Sequence, residues 1–150
     1  ARYILTETVA CDTDSSLDPA KLREVLLYML GKVGARPHVG ETVVYKLLYC
    51  IDAQYHQQFG RSITGLGYIH GEYGPTPTRA FIDIVRRMEG DGELEIITTK
   101  YFKNTQKKYL PIVKPDLIAL EARELQSIDE SLSRLGDKTA VELAALISEG

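Results

Sequence analysis

The chain has 150 residues, 44% apolar and 26% charged, with a formal net charge of −3. That length fits one domain able to bury a core without staples, and the acidic total excludes a global electrostatic pull toward nucleic acid. No apolar run is long enough to span a bilayer, and the N-terminus lacks the basic-then-apolar layout of a signal peptide, so the expected compartment is the cytoplasm.

Residues 2–9 interleave Tyr3, Leu5 and Val9 with Arg2, Thr6 and Thr8, which suits a short strand or extended arm. Residues 11–16 form a polar linker, so 1–17 reads as an arm or linker ahead of a domain over 18–150. The start at Ala1 is compatible with a piece of a longer protein. Cys11 and Cys50 are far apart and in no metal-ligand spacing, which fits a reducing compartment.

Asp18-Pro19 marks a helix start, followed by Leu22, Val25, Leu26, Met29 and Val33 at helical spacing and a stop at Gly34. A second helix is predicted over 41–59, its stripe made by Val44, Leu48, Ile51, Tyr55 and Phe59, with Gly60 ending it. Glycines 65, 67, 71 and 74 predict a loop with a brief strand near Tyr68. Thr76-Pro77 is expected to launch a third helix carrying Phe81, Ile84, Val85 and Met88 inward.

Residues 94–102 and 107–113 read as strands around a polar turn over 103–106. Lys114-Pro115-Asp116 is expected to open a fourth helix with Ile118, Leu125, Ile128, Leu132 and Leu135 inward. Thr139 and Glu142 form a capping box for a last helix through about Ser148. The fold class expected is mainly α with a β-hairpin (α+β), a compact helical domain with a winged-helix-like helix-plus-hairpin element.

Catalysis is not expected. The histidines, His38, His56 and His70, come from a loop, a helix and another loop, with no His-x-x-x-His or Cys-x-x-Cys pair, so no metal is expected. Gly65-Leu66-Gly67 lacks the Lys-Ser/Thr ending of a phosphate loop, and no nucleophile elbow appears. Glu121 and Glu124 sit at helical spacing on a face expected to be exposed. No cofactor is implied.

Binding is the remaining chemistry. Asp52 lies beside the inward stripe of the second helix and needs a partner there, which Arg61 or the amides and hydroxyls of 62–64 could supply. The group either pins the loop to the helix or shapes a binding groove, and both readings are compatible. Lys100, Lys103, Lys107, Lys108 and Lys114 gather around the hairpin among Tyr101, Phe102 and Tyr109. That patch reads as a wing on phosphates, a contact for an acidic protein, or solvated lysines guarding strand edges. Tyr73-Gly74-Pro75-Thr76-Pro77 is first a backbone device, with Tyr49, Tyr55, Tyr68 and Tyr73 able to present an aromatic surface.

Lys46-Leu47-Leu48-Tyr49, Asp52, Tyr55, Gly60-Arg61-Ser62-Ile63-Thr64-Gly65, Tyr68 and Tyr73-Gly74-Pro75, in this order and spacing, resemble the Panacea domain, also called the SocA-like antitoxin domain. The resemblance is good over 44–88 and extends in element order over 18–150. It departs at His70, where a basic residue is common, and at Thr76, where a small apolar residue is common. The resemblance implies a bacterial or phage antitoxin that neutralises a cognate toxin by direct binding. One branch of the family acts as an adaptor delivering a toxin to a protease, and some members carry a helix-turn-helix DNA-binding module.

The expectation is therefore a non-enzymatic antitoxin whose partner is a toxin protein. Asp52, Arg61, Thr64, Tyr68, His70 and Tyr73 are the candidate partner-binding residues. Lys100, Lys103, Lys107 and Lys108 are a candidate basic patch. Alternatives are a protease adaptor and a DNA-binding regulator using the hairpin, although the acidic total argues against nucleic acid as a partner of this domain alone. No membrane partner is expected, and self-association is compatible with the composition.

Overall fold

Five helices and two antiparallel hairpins carry residues 16–71 and 74–148, the parts described by the computed structural model. The arm expected over 2–9 and Cys11 lie outside the described residues. Helix α1 (Pro19–Val33) begins as its sequence predicts: the Asp18 carboxylate accepts from the Lys21 amide at 3.0 Å, and Pro19 occupies a first-turn position that needs no donor.

Helix α2 (Glu41–Phe59) is the central element. It packs against both later helices and strands of both hairpins, so its middle is buried on nearly every side from Val43 to Tyr55. Such all-round burial explains why its apolar stripe is so wide. It ends at Gly60, whose φ of 78° is the left-handed torsion that glycine accepts most cheaply. Phe59 is 40% exposed rather than inward, because the helix has by then run past the core.

The segment after α2 corrects one expectation. Strands β1 (Tyr68–Gly71) and β2 (Gly74–Pro77) form a small hairpin, pairing Tyr68 with Pro77 and Gly71 with Gly74. Pro77 therefore ends a strand instead of starting a helix. Proline's fixed φ suits extended backbone, and a two-stranded ribbon has an outer edge that needs no donors. Thr78 precedes helix α3 (Arg79–Gly90) and donates its backbone N–H to Gly67 at 3.1 Å.

Helix α3 leads directly into the second hairpin, β3 (Leu94–Tyr101) with β4 (Asn104–Pro111). Its turn is two residues, Phe102-Lys103, shorter than the polar turn expected over 103–106. Phe102 holds a φ of 55°, unusual for a residue with a side chain. The next expectation also shifts. Asp116 caps a brief 3-10 turn, Leu117–Ala119, and leaves Ile118 94% exposed, while Leu120 turns inward.

Helix α4 (Ala122–Leu135) starts only after that turn, through a capping box between Glu121 and Glu124. Helix α5 (Ala140–Ser148) follows the Thr139–Glu142 box as predicted, with reciprocal bonds of 2.9 and 3.2 Å. The core joins Leu22, Leu26 and Met29 of α1 to Leu47, Leu48 and Ile51 of α2, Phe81 of α3, Tyr109 of β4, Ile128 of α4 and Leu143 of α5.

The loop after α2 is held tightly against the start of α1. Asp18 donates its amide to the Thr64 carbonyl at 3.0 Å, and a Cβ on Gly65 would lie 2.0 Å from the Ser16 carbonyl oxygen. Gly65 also has a φ of +73°. Gly65→Ala is therefore expected to cost about 2–3 kcal/mol through strain and clash together, read as a lowered urea midpoint with an unchanged slope.

Candidate functional site

The site develops around Asp52, which α2 places in the core at 0% exposure. A carboxylate there must be hydrogen-bonded or it will not stay charged. One oxygen accepts from the amides of Ile63 and Thr64, each at 3.0 Å. The other accepts from the Thr64 hydroxyl at 2.6 Å and the Tyr68 hydroxyl at 2.7 Å. Burial pushes the Asp52 pKa up, while these four bonds pull it down, and burial prevails. Tyr68 is raised well above the ordinary phenol value by burial first and by Asp52 second. Its ring meets Tyr49 edge-on at 5.1 Å.

The Ser62–Thr64 donors weighed for Asp52 in the sequence are thus largely those it uses: the backbone of Ile63 and Thr64 and the Thr64 hydroxyl. Arg61 is not one of its partners. Its guanidinium instead faces outward to helix α4, 2.9 Å from Glu121 and 3.4 Å from Glu124, and lies 5.4 Å from the Tyr55 ring centre. Desolvation opposes its charge, yet Tyr55, Glu124 and Glu121 together hold its pKa above the ordinary value.

Glu124 is a correction. It was expected on an exposed face but is fully buried, binding Lys21 of α1 at 2.8 Å and accepting the Glu121 amide at 2.8 Å. No periodicity argument finds this, since a capping carboxylate and a surface carboxylate occupy the same helical spacing. Beside these groups a surface depression of about 400 Å³ is lined by Lys21, His56, Gly60, Arg61, Ser62 and Ile63 among others.

The six candidate binding residues separate accordingly. Asp52, Thr64 and Tyr68 are interior, each 0% exposed, and a partner cannot touch them in this fold. Their effect on binding is to set the shape of the loop. Tyr68, a candidate contact in the sequence, is a large core ring, so Tyr68→Ala removes part of the core. Arg61 and His70 are exposed, and Tyr73 lies outside the described residues.

The basic patch changes as well. Lys108 is buried and donates to the carbonyls of Arg36 and Val39 at 2.8 and 2.9 Å, fastening β4 to the α1–α2 connection. Desolvation lowers its pKa. Lys100, Lys103 and Lys107 remain exposed around Phe102, itself 85% exposed.

The histidines do not converge. His38 bonds the Gly136 carbonyl at 2.8 Å, His56 is half-buried on α2, and His70 stands on β1. Among the described residues no group of three or more His, Cys, Asp and Glu is placed to hold a metal ion. Cys50 is a buried thiol, its pKa pushed up to about 12 by desolvation, and behaves as a small hydrophobe. No helix among the described residues is long and apolar enough to cross a membrane.

Residues 44–149 match the family described as antitoxin SocA-like, Panacea domain. The match takes in α2 from its fourth residue, Val44, onward, the Asp52-centred loop, both hairpins and the last three helices. No curated protein and no solved structure matches the chain.

Proposed function

The chain belongs to the SocA-like antitoxin, Panacea domain family, and we propose that it is the antitoxin of a toxin–antitoxin pair, neutralising a cognate toxin by direct protein–protein binding. The observation that carries this reading is the family match itself, which covers the whole of the 46–75 motif. The geometry is compatible with it. A loop held by one buried carboxylate from inside and by ion pairs from outside is a rigid platform, and rigid platforms lose little entropy on binding. Arg61 is the exposed part of that platform, in a residue type favoured at the centres of interfaces.

The test is co-expression with the product of the neighbouring gene, read as growth rescue and co-purification. A toxin that stays active with this protein in excess would end the reading. Arg61→Ala should weaken neutralisation about tenfold. The melt should barely move, because half-exposed ion pairs contribute only about 0–1 kcal/mol, and Glu124 keeps Lys21 as a partner. A melt that falls in step with neutralisation would reassign Arg61 to architecture. Delivery to a protease would appear separately, as toxin degradation accelerated only when protease and this protein are both present.

A further inference from the structure

The β3–β4 hairpin ends in a turn that carries two local costs at one residue. Phe102, the first of its two turn residues, holds a φ of 55° where glycine ordinarily stands in a two-residue hairpin. Among the described residues it alone combines a side chain with a positive φ. Phe102 is also 85% exposed, with the Tyr101 ring edge-on to it at 4.6 Å. The strands pair without a break from Leu94 with Pro111 to Tyr101 with Asn104, so the ring stands at the tip of a continuous ribbon. Neither cost is repaid in the core, to which Phe102 does not belong.

The charge around this ring is of one sign. Of the chain's 18 Lys and Arg, five lie in 96–115, and of its 21 Asp and Glu, none does. Lys108 is taken up inside the fold by the carbonyls of Arg36 and Val39. Lys103 sits in the turn beside Phe102. Lys100 and Lys107 share one face of the ribbon, because Lys107 stands opposite Thr98, two residues from Lys100. These three are exposed, and among the described residues no carboxylate lies within ion-pair distance of them. Glu41 shares a recess with Lys107, but its carboxylate accepts the Tyr109 hydroxyl.

We propose that this tip is a docking knob for the cognate toxin: the Phe102 ring enters an apolar pocket of that protein, and Lys100, Lys103 and Lys107 pair with carboxylates on the pocket's rim. The partner's identity rests on the antitoxin reading, and its chemistry on the tip. A convex aromatic group needs a concave apolar receptor, and a collar of ammonium groups selects an acidic one. A turn already held in one conformation adds little ordering cost on docking. Nucleic acid fits the tip less well. Duplex binding draws on phosphate contacts spread along a surface, whereas here three ammonium groups stand at one end. Outside 96–115 the chain sets 13 Lys and Arg against 21 Asp and Glu, which repels a polyanion.

Phe102→Gly in the full chain decides it, because strain and contact move in opposite directions. Glycine removes the cost of the positive φ, so the melt should hold or rise. Affinity for the purified product of the neighbouring gene should fall at least about tenfold. A lower melt with the affinity of the folded protein unchanged would assign Phe102 to folding and overturn the proposal. The triple variant Lys100→Gln, Lys103→Gln, Lys107→Gln should slow association about tenfold at low salt and flatten its salt dependence between about 0.05 and 0.5 M.

If the wild type binds the toxin and both variants bind it equally well, the tip is not the docking site, while the antitoxin reading stands. A wild type that binds no toxin ends both. Duplex DNA or a second copy of this chain, held through Phe102 and the three lysines while toxin binding is indifferent to them, would assign the tip to that partner and overturn the proposal.

Discussion

Asp52→Ala should destabilise the domain by about 3–5 kcal/mol, the cost of breaking a fully buried, fully bonded charge site. The substitution orphans the Ile63 and Thr64 amides and the Thr64 and Tyr68 hydroxyls at once, in a place closed to the protein surface. Against a total stability of about 5–15 kcal/mol, that is a third or more of what holds the fold. A denaturant titration measures it, and hydrogen exchange localises it, with the Ile63 and Thr64 amides losing protection first. Wild-type stability in Asp52→Ala would mean that the loop finds other partners.

Asp52→Asn should be milder, about 1–2 kcal/mol. The amide oxygen can still accept from both backbone N–H groups, and the two hydroxyls can turn to accept from the new NH2. The pH dependence follows from the raised pKa. Between the unfolded carboxyl value and the higher folded one, the native state binds the extra proton, so this group's linkage favours folding on the acid side and is lost as pH rises through the folded pKa. Acid should therefore widen the gap between wild type and Asp52→Asn, as equilibrium unfolding between pH 7 and pH 4 would show.

These expectations mark where the sequence is legible. Helix α2 can be read because its wide apolar stripe and the Gly60 stop agree, and Asp52 because an acid beside such a stripe must find donors. The β1–β2 hairpin cannot be read in the same way. Tyr68 to Pro77 contains four glycines and prolines among strand residues, and each one locally argues for a loop. What makes the segment a hairpin is packing on α2, a tertiary contact with no local signature. Ile118 fails for a related reason: helical spacing continues through 117–120, but Asp116 closes a 3-10 turn that rotates Ile118 to solvent and Leu120 inward. Lys108 and Lys46 look like surface charges in sequence, and their interior positions depend on carbonyls and walls contributed from distant segments.

The same limit conceals Glu124, and Glu124→Ala should show how much it matters. At this carboxylate α1, the loop after α2 and the start of α4 meet: Lys21 at 2.8 Å, Arg61 at 3.4 Å and the Glu121 amide at 2.8 Å. Its removal deletes half of a capping box and leaves Lys21, only 16% exposed at its side chain, facing an empty site. A loss of about 2–4 kcal/mol is expected, largely insensitive to salt because the carboxylate is buried. Glu124→Gln should recover about 1 kcal/mol of it by keeping an acceptor for the Glu121 amide. A double-mutant cycle with Lys21→Met separates the terms: strong coupling assigns the loss to the ion pair, and additivity assigns it to the cap. Asp52 holds the loop from α2 and Glu124 from α4, so Glu124→Ala should also loosen Arg61, leaving it Glu121 at 2.9 Å, without touching the Asp52 bonds. Toxin affinity falling further than stability predicts would then make Arg61's fixed position, more than its charge, the property that the partner reads.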